Sequence, residues 1–96
     1  MNNSFDNIYD GMNYNYGKLE GILADLYRRL QNDPSDDFAR DVFTRLSTVA
    51  ENMIFSQKEL TTYYGDPSIK NSLIGQLDSK VAALHQGLDQ VKQHDL

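Results

Sequence analysis

The sequence predicts an all-α protein of three long helices in one domain, and three observations support that prediction. Large apolar residues recur at alternating spacings of three and four, which is the heptad pattern of helices packed along their length. Two segments, "QNDPSDD" and "YYGDPS", interrupt the pattern and divide the 96 residues into three nearly equal lengths. A chain of this size holds one modest core, so we expect a single domain over residues 1–96.

The first helix is predicted over residues 4–31. Asn3 or Ser4 is a suitable N-cap, and Pro34 cannot continue a helix because it lacks an amide hydrogen and clashes with the preceding turn. The irregular stretch "DGMNYNYGKLEG" keeps its apolar residues in register with the rest of the helix. The predicted apolar seam consists of Phe5, Tyr9, Met12, Tyr16, Leu19, Leu23, Leu26 and Leu30.

The second helix is predicted over residues 34–64. Asp33 is the expected N-cap, Pro34 the first helical residue, and Asp36 and Asp37 the acidic residues of the first turn. Gly65 suits the left-handed position that follows many helices. The predicted seam is Ala39, Val42, Leu46, Val49, Met53, Ser56, Leu60 and Tyr63, widened by Phe43, Ala50 and Ile54.

Ser56 is the one polar residue of that predicted seam. A small hydroxyl in a helix usually donates to a carbonyl of the preceding turn, so Ser56 does not by itself indicate a site.

The third helix is predicted over residues 67–94. Asp66 and Pro67 repeat the order of aspartate and proline seen before the second helix, and Lys92 and His94 suit the negative end of the helix dipole. The predicted seam is Ile74, Leu77, Val81, Leu84, Leu88 and Val91, preceded by Ile69 and Leu73.

Three such helices can bury their apolar stripes in two arrangements. Short connections make neighbours in sequence antiparallel, which favours an up-down-up three-helix bundle. The alternative is a hairpin plus one helix whose core is completed by a partner, because an apolar stripe serves an external helix as well as an internal one.

Composition excludes several classes of function. The chain has no cysteine, and its 14 acidic and nine basic residues give a net charge of −5. Arg28 and Arg29 are the only adjacent basic pair, so we expect no nucleic-acid partner. No stretch is apolar enough to span a membrane, and the N-terminal residues do not resemble a signal peptide. We therefore expect a cytoplasmic location, with export by a specialised secretion system left open.

No pattern of catalytic, cofactor-binding or metal-binding residues is present. The acidic residues Asp33, Asp36 and Asp37 lack the length and the glycine of a calcium loop and are better explained by helix capping. His85 and His94 have no second ligand three or four residues away, and His85 is expected to border the core or the solvent. The glycines match no phosphate-binding loop. We therefore predict that the protein is not an enzyme and holds no cofactor or metal.

The outer face of the first helix is the first candidate surface for binding a protein. Each glycine costs roughly 1 kcal/mol relative to alanine inside a helix. The glycines either loosen this half of the helix or allow another backbone to approach beside an exposed aromatic side chain; neutral drift is the third explanation. This surface, called the glycine face below, consists of Gly11, Tyr14, Gly17, Lys18 and Gly21.

Phe55 is the second candidate for protein binding. It falls on a polar side of the second helix, whereas its neighbour Ile54 continues the stripe of Phe43 and Ala50 and is expected in the core. Exposed aromatic residues often mark contact surfaces.

The segment "LQNDPSDDFARDVFTRLS", residues 30–47, resembles the needle subunits of type III secretion systems. Those subunits are helical hairpins that turn through a Pro-Ser-Asn/Asp-Pro stretch, which Pro34, Ser35 and Asp36 match. Asp37 replaces the second proline, and this chain continues into a third helix. The small helical chaperones of the same secretion machinery are similar in general shape.

These observations favour a non-enzymatic helical interaction protein, such as an adaptor, a secretion chaperone or an inhibitor, that binds a protein partner through exposed helix faces. The alternative is a structural subunit that self-associates, such as a needle-like or coiled-coil component. A homo-oligomer is open under either hypothesis.

Overall fold

The computed structural model describes residues 3–94 and 96, and these form three α-helices. Helix α1 covers Asn3–Asn32, α2 covers Asp37–Tyr64 and α3 covers Lys70–Lys92. The predicted all-α class is confirmed, and no strand lies among the described residues. The first helix matches its prediction to within a residue at each end, whereas α2 and α3 each begin three residues later than predicted.

The apolar seam of α1 is the predicted one. The alternate seam positions Tyr9, Tyr16, Leu23 and Leu30 are buried together with Phe5, while Met12, Leu19 and Leu26 are partly buried. The helix runs without interruption through its three glycines. Helix α1 therefore forms despite these glycines because one continuous side of it is buried in the core.

The seam predicted for α2 is correct only in part. Ala39 is buried, and Leu46, Met53 and Leu60 pack against the core as partly buried residues. The predicted seam members Val49, Ser56 and Tyr63 are exposed, and Tyr63 keeps 74% of its surface. The three residues expected only to widen the seam, Phe43, Ala50 and Ile54, are buried at its centre. The buried stripe consists of Ala39, Phe43, Ser47, Ala50, Ile54, Gln57 and Thr61.

Polar side chains in the core explain this error. Ser47, Gln57 and Thr61 are each at most 1% exposed, so a search for apolar periodicity skips three of the seven buried positions. Thr61 donates from its hydroxyl to the Gln57 carbonyl one turn earlier, at 2.8 Å. The exposed Ser56 makes the same kind of bond to the Asn52 carbonyl at 3.0 Å, as predicted for that hydroxyl.

The two Asp-Pro-Ser segments form the same turn. Asp33 Oδ1 accepts from the backbone N–H and the hydroxyl of Ser35, and Asp66 Oδ1 accepts in the same way from Ser68. The prediction that Asp33 caps α2 is wrong because its carboxylate is used within the turn. Asp36 is the N-cap, and its carboxylate accepts from the Ala39 N–H at 3.0 Å.

Gly65 ends α2 without the predicted left-handed conformation. Its φ is −71° and its ψ is 148°, and its N–H donates to the Thr61 carbonyl at 2.9 Å. A Cβ at this position would lie 2.6 Å from that same carbonyl oxygen. Glycine is needed here for close approach and not for a positive φ.

Helix α3 uses the predicted seam. Leu77 and Val91 are fully buried, and the seam residues between them are partly buried. Ile69, expected to lead into the seam, precedes the helix and is 45% exposed. The predicted end at residue 94 is too late, because α3 stops at Lys92 and His94 has a left-handed φ of 58°.

The helices run up, down and up. Asn13 pairs with Gln57 and Tyr27 with Phe43, so α1 and α2 are antiparallel. Helices α2 and α3 are also antiparallel, since Lys58 Nζ lies 2.6 Å from Asp78 Oδ1 and Glu51 pairs with His85. The bundle is elongated, with principal dimensions of 51 × 19 × 15 Å.

Helix α2 is the centre of this arrangement. It packs along both α1 and α3, whereas the backbones of α1 and α3 hardly approach each other. The three helices therefore form two packed pairs that share α2, with an open side between α1 and α3.

Candidate interaction groove between α1 and α3

Two contacts between long side chains bridge α1 and α3. The Tyr27 hydroxyl donates to Gln90 Oε1 at 2.7 Å, and Lys80 Nζ lies 4.9 Å from the centroid of the Tyr16 ring. Tyrosine and lysine reach far enough to link helices whose backbones are well separated. The space between these helices is consequently filled only in part.

An open groove of about 420 Å³ lies between α1 and α3. Its lining is mainly apolar, and buried or partly buried core side chains contribute Tyr16, Leu23, Tyr27, Phe43 and Leu84. The core of the bundle is thus accessible along this side. The remaining lining residues are Glu20 and Ala24 from α1, and Ser79, Lys80, Ala83 and Gly87 from α3.

The α3 side of the groove presents small residues at consecutive turns. Ser79, Ala83 and Gly87 are spaced by four, so they lie along one face of the helix. Ala24 is the small residue of the α1 side. Small side chains let another backbone approach closely, so a helix can lie over the groove without displacing bulky groups.

The two charged residues of the groove have opposite signs and come from opposite helices. Lys80 lies over the Tyr16 ring, and the carboxylate of Glu20 interacts electrostatically with the Tyr16 hydroxyl. Burial raises the pKa of the Tyr16 hydroxyl, and the negative charge of Glu20 raises that pKa further. In the described part of the chain, Glu20 and Lys80 form no ion pair with each other or with another residue.

All five members of the predicted glycine face are exposed. Tyr14 keeps 64% of its surface, and Lys18 Nζ lies 4.5 Å above its ring. A Cβ added at Gly11, Gly17 or Gly21 would meet no atom within 4 Å. Nothing within the bundle therefore requires glycine at these positions, and their role in binding a partner stays a prediction.

Phe55 is 45% exposed on the outer side of α2, and its neighbour Ile54 is fully buried, as expected. Phe55 lies in a shallow hollow that Tyr63 also lines. Lys58 Nζ is 6.0 Å from the Phe55 ring centroid. Neither Phe55 nor any residue of the glycine face lines the α1–α3 groove, so the residues predicted to bind a partner do not form one site with it.

The groove is not evident from the sequence. Ser79, Ala83 and Gly87 are small residues at helical spacing, but this pattern does not indicate a groove unless the separation of α1 and α3 is known. Leu23 and Leu84 were correctly placed in seams, yet an apolar seam does not reveal which part of it lacks a covering helix.

His85 and the ion pair of Asp41 with Arg45 lie outside the groove. Among the described residues, no group of three histidine or acidic side chains is placed to hold a metal ion. His85 is exposed and pairs with Glu51. The exposed Asp41 and Arg45 form an ion pair along α2, with Arg45 Nε 3.0 Å from Asp41 Oδ2.

Comparison with known proteins adds no relative. No protein-family model matches this chain, and neither curated proteins nor solved structures give a match. Within the described residues, no helix has the length and apolarity needed to cross a membrane.

Proposed function

We propose that this protein is a non-enzymatic helical interaction module that binds a helix of a protein partner in the α1–α3 groove. One observation supports this above the others. The apolar core of the bundle is open along the side where α1 and α3 are separated. Covering it would remove apolar surface from water, which favours association.

The arrangement of the three helices indicates a helix as the bound element. In a four-helix bundle each helix packs on two neighbours and lies diagonally opposite the third. Helix α2 packs on α1 and α3, and these two are placed as the diagonal pair. The groove is therefore the position that a fourth helix would occupy.

The small residues of the groove support the same conclusion. An amphipathic helix binds a groove through apolar side chains spaced by three and four. Ala24, Ala83 and Gly87 leave room for such side chains beside the core residues Leu23 and Phe43. Roles as an adaptor, a secretion chaperone or an inhibitor are all consistent with binding of this kind.

The glycine face and Phe55 are proposed as secondary contact surfaces. They lie outside the groove, so a partner that uses them would have to extend around α1 or α2. Their exposure supports this proposal, but they lack the open apolar core that distinguishes the groove.

Two adjacent alanines of α3 provide a matched test. Ala82 and Ala83 are both exposed, but only Ala83 lines the groove. Ala83→Glu places a charge in the groove, and Ala82→Glu adds the same charge outside it. We expect quantitative affinity capture to recover specific partners with the wild type and with Ala82→Glu, and to lose them with Ala83→Glu.

Thermal unfolding of both variants provides the control, since each should keep a helical fold. Equal capture by the two glutamate variants would contradict the assignment of the groove as the binding surface.

A further inference from the structure

We propose that a second copy of this chain covers the groove. The two copies are related by a two-fold axis parallel to the helices, so that α1 of each lies beside α3 of the other. This inference rests on the proposed function in taking the α1–α3 groove as the association surface. The second copy covers the groove with its own α1 and α3 and does not insert a single helix into it.

The charges of the groove suit this arrangement. Glu20 and Lys80 lie on opposite sides of the groove, and both act on Tyr16, which places them at a similar height along the bundle. A two-fold axis along the helices preserves height and exchanges the sides. Glu20 of each copy then faces Lys80 of the other, and two ion pairs form from charges that have no ion-pair partner among the described residues of one chain.

The net charge of the chain does not oppose such a dimer at this surface. Two copies with a charge of −5 repel each other in general. The groove lining, however, contains one acidic and one basic residue, Glu20 and Lys80, so the groove itself adds no net charge to the interface. Depletion of charge is typical of the centre of protein interfaces.

The protein is long enough to present a face of the size that a stable dimer interface needs. A stable interface buries about 800 Å² on each partner. The molecule is 51 Å long and between 15 and 19 Å wide, so a face that runs along the helices has an area of that order. A dimer through this face would place α1 and α3 of both copies around one core, with both α2 helices outside.

The same symmetry limits the assembly to two copies. In a two-fold interface each copy uses the same surface, so the groove of each chain is covered by the other and no second groove remains. We therefore expect a closed dimer and not a filament.

Sedimentation equilibrium over a concentration series tests the inference. We expect a dimer for the wild type, and a dissociation constant raised about tenfold or more by either Glu20→Lys or Lys80→Glu, because each change opposes two like charges across the interface. Arg45→Glu is the control for Lys80→Glu, since it also replaces a positive charge by a negative one, on an exposed residue outside the groove. It should leave the dimer unchanged.

An equimolar mixture of the two charge variants makes the test specific. In that mixture one chain carries lysine at both positions and the other carries glutamate at both, so both ion pairs are restored between chains. We expect the mixture to form a dimer at concentrations where each variant alone is monomeric. Effects within one chain cannot produce this rescue.

A wild type that stays monomeric at every concentration would overturn the inference, as would filaments or a dimer insensitive to both charge variants. These failures are distinct from failure of the proposed function. Loss of a different protein partner from Ala83→Glu, with a monomeric wild type, would keep the groove as a binding surface and exclude the second copy.

Discussion

Gln57 Nε2 donates a 2.8 Å hydrogen bond to Asn13 Oδ1 and so joins the buried stripe of α2 to α1. Gln57 has no exposed surface, and its Oε1 accepts no hydrogen bond from the described residues. The nitrogen of this buried amide thus has a hydrogen-bond partner and its oxygen has none. An unpaired buried polar group lowers stability, since it has lost its bonds to water without replacement.

We expect Gln57→Leu to preserve or increase the free energy of unfolding by up to about 1 kcal/mol, because leucine has a similar size and removes the unpaired oxygen. Asn13 is exposed and can bond to water instead. Gln57→Ala is the contrasting variant, and its cavity should cost about 2 to 4 kcal/mol. Urea denaturation measures both changes. A loss of more than about 2 kcal/mol in Gln57→Leu would show that the amide bond is essential.

Replacing Gly11, Gly17 and Gly21 together with alanine should stabilise α1. The added methyl groups meet nothing within 4 Å, and each replacement gains roughly 1 kcal/mol of helix propensity. We expect a higher melting temperature by circular dichroism. If a partner approaches closely at the glycine face, its affinity should fall in the same variant. Unchanged affinity together with higher stability would exclude close approach at this face.

Gly65→Ala should have the opposite effect. Its φ is ordinary for any residue, but the new Cβ would lie 2.6 Å from the Thr61 carbonyl oxygen. The end of α2 must shift, and such overpacking costs about 1 to 3 kcal/mol. Chemical denaturation measures the free energy of unfolding of this variant and of the α1 glycine variant. The comparison separates Gly65, where packing requires glycine, from the three α1 glycines, where it does not. A neutral Gly65→Ala would show that the turn relaxes freely.

The repeated turns make two carboxyl groups acidic. Hydrogen bonds from the Ser35 hydroxyl and then its backbone N–H lower the pKa of Asp33 below its ordinary value of 3.8. For Asp66, the backbone N–H of Ser68 is the larger cause of the lowered pKa and the hydroxyl the smaller. The ionised carboxylates therefore stabilise the turns above the ordinary value, and this contribution is lost as pH falls through the lowered pKa values.

NMR titration of the carboxyl groups can test this difference between the turns. Ser35→Ala should raise the pKa of Asp33 towards 3.8 by more than Ser68→Ala raises the pKa of Asp66, because the hydroxyl contact is shorter in the first turn. The distance is 2.6 Å from Ser35 Oγ to Asp33 Oδ1 and 2.9 Å from Ser68 Oγ to Asp66 Oδ1. Equal shifts would show that the shorter contact is not the stronger one. The unmutated turn in each variant is the internal control.

Phe55 and Ile54 provide a comparison between adjacent apolar residues. Phe55→Ser should change the free energy of unfolding little, since the ring is 45% exposed, whereas Ile54→Ala should cost about 2 to 5 kcal/mol at a fully buried position. Thermal denaturation measures both. A loss of several kcal/mol in Phe55→Ser would place the ring in the core.

The sequence predicts the buried side of α1 better than that of α2. The buried side of α1 is almost entirely apolar, and its seam was predicted correctly. In α2 the buried stripe contains Ser47 and Gln57, while Val49 and Tyr63 are apolar or aromatic but exposed. Periodicity of apolar residues then indicates a stripe displaced from the true one, because burial of polar groups depends on partners in other helices.

The turns illustrate a different limit. The Asp-Pro order located both turns between helices, but each following helix begins three residues later than predicted. The order did not reveal that Ser35 and Ser68 donate to the aspartate carboxylates within the turns. Likewise, the exposure of Phe55 and the glycine face followed from helical position alone. The α1–α3 groove did not, since it depends on the separation of two helices that are distant in sequence.

The central position of α2 also has a consequence for folding kinetics. Each packed pair of helices, α1 with α2 and α2 with α3, consists of neighbours in sequence joined by a short turn. Low separation between contacting residues reduces the entropy lost in closing loops before contacts form. We therefore expect folding in the microsecond-to-millisecond range, with either hairpin able to form first on the shared helix.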